Sequence, residues 1–209
     1  MESSLRVLLR FVYPPNRLGL CGKRDPGVYS LLKKEKWEKK EKEKVKDFLK
    51  NFKVLHAYLT ALSSAFKCEI FDWKAVKAYL IGYEWRDYEI RENLKKELIG
   101  ISLPNQLEKV ERIPLAPYTH NFHVLYFGPL TVSVKSWERL RKLCRVSLLE
   151  IVDEKLARTE RGEIVEYSSP FMEVEKGDFV FAHYRVPFKH AEEEEIEIFK
   201  ECNSVIGSS

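Results

Sequence analysis

The stretch KGDFVFAHYRVPFKHAEEEEIEIFKEC, residues 176–202, contains the clearest structural signals in the chain. It opens with Lys176-Gly177-Asp178, a turn signal, and continues into a β-rich run. This pattern predicts a strand over Asp178 to Val186. Four consecutive glutamates follow, and acidic residues favour the positive end of a helix dipole. A helix is therefore predicted over Glu192 to Cys202.

Two further β-rich runs lie upstream of this stretch, over Val146 to Val152 and over Glu163 to Tyr167. Turn signals separate them, and short strands at this spacing are typical of a small barrel or sandwich. A strand is also predicted over His123 to Phe127, and a short helix capped by Ser136 is predicted over residues 137–143.

The first half of the chain follows the helical period instead. The predicted helices are Leu5 to Val12, ended by Pro14; Val45 to Phe66; Trp73 to Leu80, capped by Asp72 and ended by Gly82; and Ile90 to Leu98, closed by Gly100. Prolines recur and alternation begins near Leu103-Pro104. We therefore predict an α+β protein. A helical N-terminal domain, residues 1–103, precedes a small OB-like β-barrel with a C-terminal helix, residues 104–209.

Composition excludes several classes of protein. Hydrophobic residues make up 44% of the chain, which is too many for a disordered protein. The 26 Glu, 6 Asp and single Gln are a composition expected of a protein from a hot environment. No run reaches the roughly 18 apolar residues of a membrane span. The N-terminus lacks a signal-peptide cleavage site, so we expect a cytoplasmic protein with no membrane partner.

The net charge of +4 arises in one segment, Lys33 to Lys46, which holds eight Lys and four Glu. A nucleic-acid binder usually spreads basic residues over one face and adds aromatic residues for stacking. Here the signs alternate and Trp37 is the only aromatic residue, which indicates a solvated helical face with ion pairs. Nucleic acid is therefore not the expected partner, and a phosphate-binding face is the alternative.

The common catalytic motifs are absent from the sequence. There is no glycine-rich phosphate loop, no G-x-S-x-G nucleophile elbow and no H-E-x-x-H zinc motif. The four cysteines form no C-x-x-C pair, which removes the zinc-ribbon and thioredoxin signals. We therefore expect a protein that is not an enzyme. A thiol enzyme that pairs Cys21 or Cys144 with a histidine stays open as an alternative.

Residues 176–195 resemble the closing segment of the hydrogenase-maturation chaperones of the HypC/HupF type. In that family a Gly-Asp turn, a strand ending in His and an acidic helix start follow one another, as Gly177-Asp178, His183 and the glutamates do here. The family also has a cysteine at the head of its first strand, and Cys144 lies at the equivalent place. Three features depart from the family: Cys144 is internal, the Pro-Gly is missing, and the interval to the histidine is shorter.

This resemblance implies that Cys144 and His183 hold an iron centre that is being built. Both are therefore candidate metal ligands, with transient iron as the implied cofactor and a protein as the implied partner. Sulfur and nitrogen ligands of one first-row metal lie within a few ångström of each other, so the two side chains must approach each other. The alternative is a small buried hydrophobic residue and a strand-end histidine without a ligand.

The whole chain also resembles a prokaryotic family without an assigned activity, through Tyr13-Pro14-Pro15-Asn16-Arg17-Leu18-Gly19 and Cys21-Gly22. The prolines stiffen this loop and the glycines permit tight turns, so Asn16, Arg17 and Cys21 are candidate binding residues on a rigid frame. The alternative is a connector in which Asn16 and Arg17 hold neighbouring backbone carbonyl groups.

His123 is a further candidate binding residue. It could share a metal with His120 on a helix or turn, but not on a strand, where positions three apart face opposite sides. Together these signals favour a non-enzymatic accessory or chaperone-like protein in hydrogenase or metalloenzyme maturation. The alternative is a generic module that binds protein or nucleic acid, since OB-like barrels commonly bind oligonucleotides.

Overall fold

The computed structural model describes residues 1–86, 119–126 and 140–207. The helices are α1 (Glu2–Arg17), α2 (Pro26–Tyr29), α3 (Lys39–Lys50), α4 (Lys53–Phe66), α5 (Trp73–Ile81), α6 (His120–Tyr126) and α7 (Glu193–Gly207), with a 3₁₀ turn over Ser30–Lys33. The strands are β1 (Val146–Ile151), β2 (Leu156–Thr159), β3 (Ile164–Glu166), β4 (Phe179–His183) and β5 (Val186–His190). The predicted α+β class is confirmed, with helices before the sheet and a helix after it.

The five strands form one antiparallel sheet in the order β3-β2-β1-β4-β5. β1 lies at the centre and pairs with β4 from Val146 opposite His183 to Glu150 opposite Phe179. This register places His183 beside the start of β1, two residues from Cys144. β3 and β5 are the outer strands, and the described residues do not show the closed OB-like barrel that the sequence predicts.

The predicted strand over Asp178 to Val186 is a hairpin, because the chain reverses between β4 and β5. Tyr184 and Arg185 form the turn, and His183 pairs with Val186 across it. Both turn residues have positive φ, 53° and 60°, as a two-residue turn of type I′ requires. Neither is the Gly, Asn or Asp that usually marks such a turn, so the sequence carried no signal for it.

Helix α1 continues through Pro14 and Pro15, so the prediction that Pro14 ends it is wrong. A proline in a helix lacks the N–H that would bond the carbonyl four residues earlier. Pro15 therefore leaves the Phe11 carbonyl without its helical donor. Nδ1 of His183 lies 2.7 Å from that oxygen and replaces the missing donor.

The long helix predicted over Val45 to Phe66 consists of α3 and α4. The break lies at Asn51, whose side-chain amide donates to the carbonyls of Asp47 and Phe48 at 3.0 and 3.1 Å. α4 then begins after Phe52, which supplies no side-chain hydrogen bond to cap it. The apolar period runs across the break, so periodicity alone does not reveal it.

Other sequence predictions have mixed outcomes. The strand predicted over His123 to Phe127 is wrong, because residues 123–126 lie in helix α6, while Phe127 lies outside the described residues. The helix predicted over 137–143 is described only from residue 140, and residues 140–144 are helical. The helix predicted over 90–98 and the domain boundary at 103/104 lie outside the described residues.

Helices and sheet share one hydrophobic core, with buried members from each of the helices α1 to α7 and from β1, β4 and β5. Phe11 of α1 packs edge-on against Phe188 of β5, with ring centroids 5.6 Å apart. Phe181 of β4 packs against Phe199 of α7, with centroids 5.1 Å apart. The packing therefore holds α1 against the end of the sheet that carries His183.

The Lys-rich segment carries ion pairs, as its alternating charges predict. Lys42 lies 2.9 Å from Glu2, and Lys46 lies 2.9 Å from Glu43. Trp37 is buried, and its indole N–H donates to the Leu31 carbonyl at 2.8 Å. A buried indole offers no stacking surface to a base, so this segment lacks the aromatic element of a nucleic-acid site.

Helix α7 begins around a buried carboxylate. The Glu195 side chain is 2% exposed, lies 2.8 Å from Lys77 Nζ and also contacts Lys189 Nζ. It accepts a hydrogen bond from the Glu192 N–H at 3.1 Å, as the glutamate of a capping box does. Burial acts to raise the pKa of this carboxyl, but the two ammonium groups and the N–H outweigh it and lower the pKa.

Replacing Glu195 by Gln should lower the free energy of unfolding by about 2 kcal/mol at neutral pH, because two lysines lose their shared anion. The folded pKa is depressed, so the contribution is complete above the pKa of the unfolded chain and is lost as the pH falls through the folded pKa. Denaturant unfolding at several pH values measures the effect.

Glu194→Gln is the matched control, since Glu194 is exposed in the same first turn of α7. This control should change the free energy of unfolding by less than about 0.5 kcal/mol. Equal losses in the two variants, or a loss in Glu195→Gln that persists unchanged in acid, would contradict the assignment.

Candidate metal centre

Asn121 holds helix α6 on the start of β1. Its side-chain carbonyl accepts from the Val146 N–H at 2.7 Å, and its amide donates to the Val146 carbonyl at 2.9 Å. The amide also donates to Asn203 Oδ1 of α7 at 2.9 Å. Asn121 therefore fixes His120, its neighbour on α6, relative to Cys144, which lies two residues before the start of β1.

Three side chains meet at this junction: His120 of α6, Cys144 before β1 and His183 at the end of β4. One donor atom from each, a ring nitrogen or the sulfur, lies within 4.8 Å of the others. All three residues are buried. Cys144 and His183 thus approach each other as the sequence analysis requires, while their role as metal ligands stays a prediction.

His183 is held in one tautomer. The Phe11 carbonyl can only accept, so the 2.7 Å contact places the ring proton on Nδ1. Burial, and then the neighbouring His120, hold the pKa of His183 well below its usual range, so the ring is neutral. Nε2 therefore carries a lone pair, and this buried atom has no hydrogen-bond partner among the described residues.

His120 is engaged at both nitrogens. Nε2 lies 2.7 Å from the Cys144 carbonyl and must donate to it, and Nδ1 accepts from the Tyr79 hydroxyl at 3.0 Å. Burial lowers the pKa of His120 to about 4. Although Nε2 lies 3.9 Å from Cys144 Sγ, His120 can ligate through it only after giving up its hydrogen bond to the carbonyl. Cys144 and His183 are therefore the available pair.

Cys144 is a thiol at neutral pH. Burial raises the pKa of its side chain to about 12, and a hydrogen bond with the Tyr184 hydroxyl acts in the opposite direction. A metal ligand must be a thiolate, so metal binding here displaces a proton. Tyr184 is the first residue of the β4–β5 turn, which places its hydroxyl against the sulfur.

A pocket of about 380 Å³ opens onto these groups. The residues of the pocket that carry candidate donor atoms are Cys21, His120, His123, Cys144 and His183. His123 lies on α6 near Tyr58, whose hydroxyl is 3.4 Å from its Nδ1, and it is outside the group of three. A ligand or ion can therefore reach the junction through space that the protein does not fill.

Asn16 fixes the segment that brings Cys21 to this pocket. Its side chain is buried, donates to the carbonyls of Cys21 and Lys23 at 2.7 and 3.3 Å, and accepts from the Tyr29 hydroxyl at 3.0 Å. This is the connector role that the sequence analysis gave as its alternative for Asn16. Cys21 is itself an exposed residue, and partial desolvation by the groups around its thiol raises the pKa of that thiol.

Arg17 has a different environment from Asn16. Its side chain is exposed and donates to the Tyr13 hydroxyl at 2.7 Å. It is not among the described residues that line the pocket. The structure therefore gives Arg17 no contact with the candidate metal centre.

The donor set fits a first-row transition metal. Thiolate and imidazole suit iron, zinc, cobalt, nickel and copper, whereas magnesium and calcium prefer oxygen. The lone pair of His183 Nε2 has no competing donor, and the ligand atoms would need to close by about 1 Å to reach bonding distances. Cys144 and His183 supply two ligands, and His120 supplies a third only if it gives up its hydrogen bond to the Cys144 carbonyl. Coordination positions on the metal therefore stay free, unlike those of a closed structural zinc site.

Sequence reasoning found two of the three side chains and missed their polar neighbours. His120 was considered only as a second ligand beside His123, and the strand predicted from His123 onward would turn the two side chains to opposite faces. Tyr184 escaped because it lies in a turn without a glycine signal. Tyr79 falls within the predicted helix that corresponds to α5, but the helical period gives no sign that its hydroxyl is the hydrogen-bond donor that holds His120.

Fold and site together define an α+β protein with a buried cysteine–histidine pocket between its helices and its sheet. The chain matches a family of unknown function, DUF6390, over residues 2–208, and so it belongs to that family. No curated protein and no solved structure matches it.

Membership of this family agrees with the predicted resemblance to a prokaryotic family without an assigned activity, and it gives no support for the resemblance to the HypC/HupF chaperones. Across the described residues, the helices are too short or too polar to cross a membrane.

Replacing Asn16 by Ala should lower the free energy of unfolding by about 2 kcal/mol, since the buried Tyr29 hydroxyl and two carbonyls lose their partner. Amide hydrogen exchange over residues 18–24 should accelerate, and a thiol reagent should modify Cys21 faster. Arg17→Ala is the matched control, with less than about 0.5 kcal/mol expected. Unchanged modification of Cys21 in Asn16→Ala would show that Asn16 does not hold this segment.

Proposed function

We propose that this protein binds a first-row transition metal ion through Cys144 and His183, with His120 as a conditional third ligand. Its role is that of a non-enzymatic accessory protein that holds the ion for a metalloenzyme under assembly. The partner is a protein, and a hydrogenase is the first candidate because of the HypC/HupF resemblance of residues 176–195.

One observation carries the proposal: a ring nitrogen of buried His183 lies within 4.8 Å of the buried Cys144 thiol, and Nε2 of the same neutral ring has no hydrogen-bond partner among the described residues. Leaving such an acceptor unsatisfied costs about 1–3 kcal/mol, and a metal bond to Nε2 would recover it. The Phe11 carbonyl supports this role, because an outer hydrogen bond to the second ring nitrogen orients metal-binding histidines and makes them more basic.

The incomplete ligand set favours temporary holding over permanent structural binding. Four-ligand zinc sites close the metal off, whereas positions left free here can be filled by solvent or by a group from a partner. The pocket provides the route for that group. A thiol that must lose a proton on binding also makes release in acid easy, as transfer requires.

The primary test is an anaerobic titration with Co²⁺, followed by absorption spectroscopy. Wild-type protein should bind one equivalent and show a sulfur-to-cobalt charge-transfer band. Cys144→Ser should lose the band, and His183→Phe should weaken binding by at least about tenfold, since each variant removes a ligand. Cys68→Ser is the matched control, because Cys68 lies outside the pocket lining among the described residues.

Retained charge-transfer absorption in Cys144→Ser would overturn the proposed site. Thermal unfolding of each apo variant separates loss of a ligand from loss of the fold. The partner is tested by affinity purification from cells of the source organism with mass spectrometry, using wild-type protein and Cys144→Ser in parallel. A maturation role requires a metalloenzyme subunit that is enriched with wild-type protein and depleted with the variant.

A further inference from the structure

We propose that the pocket above the cysteine–histidine junction binds a small organic monocarboxylate with an apolar chain. This inference goes beyond the proposed metal role and does not depend on it. It rests on the walls of the pocket, on the helix end that lines it and on the unpartnered nitrogen of His183 inside it.

The apolar lining of the pocket indicates that the ligand carries an apolar chain. The apolar side chains that line the pocket include Val12, Leu20, Phe52, Val54, Leu55 and Val124. A volume of about 380 Å³ holds on the order of 12 non-hydrogen atoms, if each takes about 30 Å³ as a water molecule does in the liquid. Ligand pockets of this kind are mostly apolar with a few fixed polar groups.

The first turn of α4 defines the charged end of the ligand. Lys53, Val54 and Leu55 line the pocket and are the first three residues of this helix of 14 residues. Backbone N–H groups of a first turn have no acceptor within the helix, and Phe52 supplies no side-chain cap. Together with the positive end of the helix dipole, these groups favour an anion.

The charges around the pocket agree with an anionic ligand. Lys53 is exposed beside the pocket. Among the described residues that line the pocket, no side chain is acidic. A carboxylate at this helix end would therefore lie near the Lys53 ammonium group and the first-turn N–H groups, with no acidic side chain among the described lining residues.

His183 provides a second observation that points to a ligand, because it places a buried acceptor atom without a donor in the pocket lining. The residue is 1% exposed, lines the pocket and has an Nε2 acceptor without a hydrogen-bond partner among the described residues. In metal-free protein, a ligand whose far end carries a hydroxyl can donate to this nitrogen.

The test is isothermal titration calorimetry of metal-free protein with octanoate, 1-octanol and octylamine, which share one chain. Octanoate should bind about tenfold more tightly than octanol, and octylamine more weakly than both. 8-Hydroxyoctanoate should bind at least as tightly as octanoate, because its hydroxyl meets His183 Nε2. In a purely apolar pocket the buried hydroxyl would weaken binding instead.

Variants locate the two ends of the ligand. Lys53→Gln should weaken octanoate binding by about threefold and leave octanol binding unchanged. Lys50→Gln is the matched control, since Lys50 is exposed on α3 and pairs with Asp47. Leu20→Trp changes a half-buried lining residue and should block all three ligands while the protein keeps its fold.

The result that overturns the proposal is equal affinity for octanoate and octanol, or no binding of either. Failure of the metal role is distinguishable, because Cys144→Ser should abolish the cobalt band and leave octanoate affinity within about twofold. Octanoate binding that is lost in Cys144→Ser and kept in Lys53→Gln would place the carboxylate at the junction and refute its position at α4.

Discussion

The hydrogen bond from His183 Nδ1 to the Phe11 carbonyl joins residues that are 172 positions apart, and the rest of the site depends on it. It exists because Pro15 removes the helical donor to that carbonyl. The two rings also stack, with centroids 4.3 Å apart. One contact thus holds α1 against β4, fixes the proton of His183 on Nδ1 and leaves Nε2 free for a ligand.

The polar groups around this contact are neutral, and most of their hydrogens have an acceptor. Tyr79 donates to His120, His120 donates to the Cys144 carbonyl, and Tyr184 bonds to the Cys144 thiol. Burial disfavours the charged form of each imidazole and of the thiol. Among the described residues, His183 Nε2 is the acceptor of this network that has no donor. The network therefore favours a ligand that brings a hydrogen-bond donor or a metal ion to that atom.

Local patterns predicted much of the fold and only part of the site. The helical period located α1 and α5, and the acidic run located the start of α7, because these signals are carried by neighbouring residues. The continuation of α1 through Pro14 and Pro15 could not be predicted, since the carbonyl that Pro15 leaves without a helical donor is satisfied by His183, far along the chain. The β4–β5 turn and the helix at His120 were hidden for the same reason: distant groups, such as Val146 for Asn121, stabilise conformations that local propensity does not favour.

The turn at Tyr184 and Arg185 links backbone strain to the environment of the Cys144 thiol. Non-glycine residues in the left-handed region each cost about 1 kcal/mol, and Asn-Gly would remove this strain. That exchange would also delete the hydroxyl that bonds the Cys144 sulfur. Tyr184 therefore combines a backbone conformation that lowers stability with a hydroxyl that bonds the buried thiol of the junction.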